Sequence, residues 1–163
     1  HYDPKTRVLR LSDSVFSSKS VAALGVAAHE CGHAIQHSTN YSPLKIRHAI
    51  YPVVSISSSA AVPVIILGFL FNTATLVNVG IVLFAAVVLF QLVTLPVEFN
   101  ASKRALAILE ESNFLSGSNF DGTSEIKSAK KVLFAAALTY VAAALVSIMQ
   151  LLRLILLANN RRD

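Results

Sequence analysis

The sequence predicts a mainly α-helical membrane protein with three transmembrane helices and a small polar region, one helix plus a short strand, at the membrane face. Three observations carry this. Charged residues make up 14% of the 163, against roughly 25% in a typical soluble domain, too few to cover a water-facing surface. Mean hydropathy is +0.60. Residues 49–97 contain no Asp, Glu, Lys or Arg, a run too long for one membrane helix and suited to two of about 20 residues each. Disorder is excluded, because 54% of the chain is hydrophobic.

The elements follow in order. Residues 6–11, with Arg7, Val8, Arg10 and Leu11 alternating, suit a short strand. Ser17, Ser18 and Ser20 are good N-caps for a helix expected from Val21 to about Gln36. Two spans, 50–71 and 76–96, form a hairpin around a polar turn at Asn72, Thr73, Thr75 and Asn78. Pro63 is expected to kink the first span, which neighbouring helices tolerate in a membrane bundle. Residues 98–111 read as helix, and 113–123, with Gly117 and Gly122, as a loop. The third span is 132–152, entered past Lys130 and Lys131 and left near Arg153. Small residues at 57–61 and 142–144 suit close helix contact. The expected organisation is thus a polar segment at 1–48, a transmembrane hairpin at 49–97, a second polar segment at 98–131, and a transmembrane helix with its tail at 132–163.

Lys and Arg outnumber Asp and Glu by 14 to 9, a balance that suggests nucleic acid until the positions are read. Lys5, Arg7, Arg10, Lys19, Lys45 and Arg47 precede the hairpin, and Lys103, Arg104, Lys127, Lys130 and Lys131 follow it, while its turn carries none. Positive residues collect in the cytoplasm, so both polar segments are expected there, in a multi-pass protein of the cell membrane. Arg161 and Arg162 argue mildly the other way. No nucleic-acid partner is expected; lipid is. The chain opens on His1, without the apolar stretch of a signal peptide, and is read as a fragment or processed form. Cys31 stands alone, so no intrachain disulfide can form.

The helix from Val21 carries His29, Glu30, Cys31, Gly32 and His33, a match to H-E-x-x-H. At about 100° per residue, the two histidines point about 40° apart, one turn from each other, so both imidazoles can reach one metal ion. Glu30 projects beside that position, placed to take a proton from a metal-activated water. Cys31 faces away and reads as packing, and Gly32 lets another segment approach closely.

A catalytic zinc site needs a third protein ligand and an open fourth position. Glu98, His37, His48, His1 and Asp3 are candidates. His37 lies about 12 Å along the axis from His29 and cannot join both histidines on one ion; substrate contact or support of the ligands suits it better. Glu98 is the first charge after the uncharged run, just past Pro96, and the hairpin returns it to the side of His29. The expected metal ligands are His29, His33 and Glu98, with Glu30 as catalytic base.

The blocks His1-Tyr2-Asp3-Pro4, Leu11-Ser12, Ala27-Ala28-His29-Glu30-Cys31-Gly32-His33-Ala34-Ile35-Gln36-His37, and Leu95-Pro96-Val97-Glu98-Phe99-Asn100-Ala101-Ser102 with Arg104 and Ala105 resemble the YugP-like membrane zinc metallopeptidases over nearly the whole chain. Members usually carry an additional amino-terminal membrane helix, in keeping with the fragment reading. More distantly, Glu98-Phe99-Asn100-Ala101 is similar to the third-ligand helix of HtpX-like gluzincin proteases, which implies Glu98 as ligand and a gluzincin-like catalytic region. Those relatives have Asp where this chain has Ser102, which leaves open the group that orients the metal-binding histidines.

The expected activity is that of a membrane-embedded zinc endopeptidase acting on a peptide or membrane protein, its site on the cytoplasmic side. The strand near Arg7 is expected to pair with extended substrate. Tyr41, His37, Asn100 and Arg104 are open candidates for stabilising the oxyanion. A zinc transporter would need ionisable residues inside its spans, and 50–96 holds none that could ligate. The alternative is a non-catalytic membrane scaffold that binds zinc for structure.

Overall fold

Helix formation begins where the sequence supplies caps. In the computed structural model, which describes residues 1–112 and 122–160, Ser20 Oγ accepts from the Ala23 amide at 3.2 Å and opens the helix that carries the H-E-x-x-H motif. The order is β1 (Tyr2–Asp3), β2 (Val8–Leu9), α1 (Asp13–Phe16), α2 (Val21–Ser38), α3 (Ser42–Leu70), α4 (Ala74–Glu111) and α5 (Gly122–Asn159).

Two helix ends share one mechanism. Asn40 follows α2 and Asn72 follows α3, both at positive φ, 55° and 51°. At the first, Tyr41 N–H reaches Gln36 O at 2.9 Å and Asn40 N–H reaches His37 O at 3.2 Å. At the second, Thr73 N–H reaches Gly68 O at 2.8 Å and Asn72 N–H reaches Phe69 O at 3.4 Å. Asparagine tolerates the left-handed conformation, so each helix closes its last carbonyls and the chain turns within a few residues. Because α4 starts at Ala74, Thr75 and Asn78 lie in that helix and not in the expected turn.

The strands are shorter than expected. The stretch read as a strand at 6–11 contributes only Val8–Leu9, which pairs antiparallel with Tyr2–Asp3 in the register Tyr2↔Leu9 and Asp3↔Val8. Their connection is tied by Asp3, whose carboxylate accepts from Lys5 N, Thr6 N, Thr6 Oγ1 and, at 2.6 Å, Arg10. Its local alternation matches a strand, but the turn around Asp3 consumes residues on the near side.

The larger difference is continuity. The second span and the helix at 98–111 are one helix, α4, running through Pro96; α3 likewise runs through Pro52 and Pro63. α5 begins at Gly122, so the last two residues of the loop expected at 113–123 are helical, and the rest lies outside the described residues, as do Arg161 and Arg162. Three of these helices, Ser42–Leu70, Ala74–Glu111 and Glu125–Asn159, are long and apolar enough to cross a membrane.

The chain divides into two compact units. One comprises residues 1–44 and 95–139. Its core is Ala28 of α2, Ala105 and Leu109 of α4, and Ala129 and Leu133 of α5, with Val21, Leu24, Leu106 and Ile126 around them. Small residues bring α2 and α4 together: a Cβ on Gly32 would collide with the Ala101 carbonyl oxygen. The other unit comprises 45–94 and 140–163. There α3 and α4 pack through Gly80, where a Cβ would meet Ile65 N at 3.0 Å, and through Tyr51 and Phe90, whose rings meet at a tilt of 49° with centroids 6.1 Å apart. Its outer face is apolar, with Ile56, Val82, Val146 and Met149 all exposed. The hydroxyls of Ser57, Ser58, Ser59 and Thr94 each donate to a carbonyl three or four residues earlier in their own helix, the internal satisfaction that a lipid environment requires.

Candidate metal centre

One helical turn on α2 places the imidazoles of His29 and His33 edge to face, with centroids 4.7 Å apart. Across from them α4 presents Glu98, only 2% exposed. Its Oε2 lies 3.2 Å from His29 Nε2 and 3.6 Å from His33 Nε2. One ligand atom from each of the three lies within 4.8 Å of the others. All three belong to the same compact unit.

The outer ring nitrogens are held separately. Ser102 Oγ lies 3.2 Å from His29 Nδ1, and Gln36 Oε1 lies 3.0 Å from His33 Nδ1. Both rings therefore turn their Nε2 atoms inward, toward Glu98. A carboxylate this buried among imidazoles is costly without a cation. Two imidazole nitrogens and one carboxylate oxygen are the donor set of an open zinc site, so the residues present fit a metal ion.

Electrostatics at His33 run in two directions. Burial pushes its pKa down, while the hydrogen bond and charge of Glu98, with smaller help from Gln36 and Glu30, push it up; the net is a raised value. Burial, reinforced by Glu30, raises the pKa of the Cys31 thiol, which is half-buried within the motif.

Glu30 stands outside the converging group. Its Oε2 accepts from the Tyr2 backbone amide at 2.7 Å, which joins β1 to α2. The Tyr2 hydroxyl reaches His37 Nδ1 at 2.8 Å. Among the described residues, neither His37 nor Asp3, His48 or His1 joins the cluster of possible ligands. Asp3 is committed to its turn. Arg10 first, then Thr6 and Lys5, hold its carboxyl well below the usual carboxylate range. The stretch expected to meet substrate is β2, hydrogen-bonded to β1; the backbone that reaches Glu30 is that of β1.

Residues 1–159 match the family described as "Putative neutral zinc metallopeptidase". The chain belongs to this zinc metallopeptidase family. It is also 48% identical over 163 residues to the "Putative membrane protease YugP" of Bacillus subtilis (strain 168), covering all of this chain and 70% of that protein. No solved structure matches it.

Two residues of this family member escaped the sequence reading. Gln36 is one turn beyond His33, a spacing that was a usable signal for a side chain meeting that ring. Tyr2 carried none, because its contacts with Glu30 and His37 span 28 and 35 positions. Of the oxyanion candidates, Asn100 and Arg104 form a pair, with Arg104 Nε donating to Asn100 Oδ1 at 2.8 Å, and His37 pairs with Tyr2.

Proposed function

We propose that the chain is a membrane-embedded zinc endopeptidase in which His29, His33 and Glu98 hold the ion and Glu30 is the general base, a gluzincin-type arrangement. The observation that carries this is the convergence of three ligand atoms within 4.8 Å, two from an H-E-x-x-H helix and one from a distant acidic residue. Family membership and the relative's description as a membrane protease support it.

Zinc bound there supplies a Lewis acid that polarises the scissile carbonyl and lowers the pKa of water toward neutrality. Glu30 takes the proton of the attacking water and delivers it to the leaving amine. The Tyr2 amide, bonded to Oε2 of Glu30 at 2.7 Å, pins the carboxylate, whose Oε1 lies 3.8 Å from the amino terminus of His1. Extended substrate is proposed to run along β1, the strand whose backbone lies against Glu30. His37, bonded to the Tyr2 hydroxyl, is then a polar group on the same side of the site.

The remaining assignments rest on charge placement. The three apolar helices cross the cell membrane, the polar segments with the site face the cytoplasm, lipid surrounds the spans, and the substrate is a peptide or membrane protein.

The test is metal analysis of the purified protein alongside hydrolysis by wild type and Glu30→Gln. Wild type is expected to hold zinc and cleave; the variant is expected to hold zinc and lose roughly 10²–10⁴-fold in rate. Equal cleavage by Glu30→Gln overturns the mechanism, and zinc without cleavage in wild type leaves the structural scaffold as the reading.

A further inference from the structure

Gln36 is fully buried, with 0% exposure, and every polar atom of its amide is engaged. Nε2 donates to Val97 O at 2.7 Å and to Asn100 Oδ1 at 3.0 Å. Oε1 meets His33 Nδ1 at 3.0 Å. The direction of this amide follows from its neighbours. A backbone carbonyl can only accept, so the nitrogen of Gln36 must face Val97. Asn100 Oδ1 is independently established as an acceptor, because Arg104 Nε, which can only donate, also points to it at 2.8 Å. With Nε2 so placed, Oε1 must face His33. An amide oxygen has no hydrogen to give, so His33 Nδ1 must carry the proton.

From this chain of donors and acceptors we infer that Gln36 is a positioning residue that holds His33 in the Nδ1–H tautomer, with Arg104 and Asn100 setting the direction of its amide. The consequence falls on the far nitrogen. With the proton kept on Nδ1, any proton His33 gives up leaves from Nε2 on the Glu98 side, which exposes there the lone pair a metal ion requires. The same amide grips the carbonyl of Val97, the residue immediately before Glu98, so one side chain ties the ligand on α2 to the ligand on α4. His29 depends on a different group, the Ser102 hydroxyl. The inference deepens the proposed zinc site and rests on that reading for its functional meaning.

The experiment uses the full chain in detergent micelles, metal-free and ¹⁵N-labelled at histidine, with long-range ¹H–¹⁵N spectra reporting the tautomer of each ring and zinc affinity measured by chelator competition. In wild type, at a pH where the ring is neutral, His33 is expected as Nδ1–H. Gln36→Met, unbranched and of similar length, is expected to release His33 toward the Nε2–H form, to leave the His29 signal unchanged, and to weaken zinc binding by about 10–100-fold. Gln36→Glu, protonated on the oxygen that faces the Val97 carbonyl so that a donor remains there, keeps an acceptor oxygen toward His33 and is expected to retain Nδ1–H. A wild-type His33 in the Nε2–H form overturns the inference without any variant; so does a folded Gln36→Met that keeps both tautomer and zinc affinity. Should wild type take up no zinc, the metal reading falls, and the tautomer spectra still decide whether Gln36 holds the ring.

Discussion

The Nε2 of His29 and the Oε2 of Glu98 stand 3.2 Å apart although 69 positions separate them in sequence. Between them the chain runs out along α3, turns at Asn72 and returns along α4. A histidine pair one turn apart on a helix is a local accident until a third donor is delivered to it. Here the delivery is made by α4, whose small residues let it approach α2 at Gly32.

Removing the delivered carboxylate has a definite expected outcome. Glu98→Ala leaves two imidazoles without their acidic partner, and zinc content should fall further than the ~10–100-fold loss of affinity that follows when only a supporting group is removed. Elemental analysis after dialysis measures it. An unchanged zinc stoichiometry would show that another residue completes the site.

Ser102 holds the outer nitrogen of His29. Ser102→Ala should lower zinc affinity by about 10-fold or more while leaving the fold intact, and Ser102→Asp should recover it, since a carboxylate can only accept and so favours a proton on Nδ1, whereas a hydroxyl can also donate. Chelator competition reads both. If alanine binds zinc as tightly as serine, the hydroxyl contributes nothing to orienting the ring.

At Gly32 the prediction concerns packing. A methyl group there meets the backbone of Ala101, which cannot rotate away as a flexible side chain could. Gly32→Ala is expected to destabilise by about 1–3 kcal/mol, the usual range for overpacking. Thermal unfolding in detergent measures the shift; a variant that melts with wild type would mean the two helices separate freely at this point.

The pH prediction belongs to the β1–β2 turn. Arg10, then Thr6 and Lys5, stabilise the charged form of Asp3, so its folded pKa lies below the ordinary value of about 3.9. A depressed pKa contributes stability that is complete above the unfolded value and is lost as pH falls through the folded one. The turn should therefore persist through the pH range in which ordinary carboxyls protonate. Carboxyl ¹³C titration of Asp3 checks this, and Arg10→Ala should bring the midpoint back up. A midpoint indifferent to Arg10 contradicts the assignment.

Much of this architecture was legible in local pattern. The charge-free run at 49–97 announced α3 and most of α4, the serines at 17, 18 and 20 announced the start of α2, of which Ser20 is the cap, and the i, i+4 spacing of His29 and His33 placed both rings on one face. These features depend on residues within one or two turns of each other, or on bulk hydropathy, and so survive without knowledge of the fold. Pro96 was less informative, because α4 passes through it with no break in the helix.

What the tertiary structure decided is which distant groups meet. That Glu98, and neither Asp3 nor His37, shares a point with the two imidazoles depends on where α4 lies against α2. That Tyr2 holds Glu30, and that Gln36 and Ser102 each hold one histidine, depends on hydrogen bonds with little tolerance for a shift of an ångström. Sequence pattern determines the faces that helices offer. Only the packed arrangement determines which face each one meets, because that choice is made by the summed fit of many small contacts, the closest of them at Gly32 and Ala101.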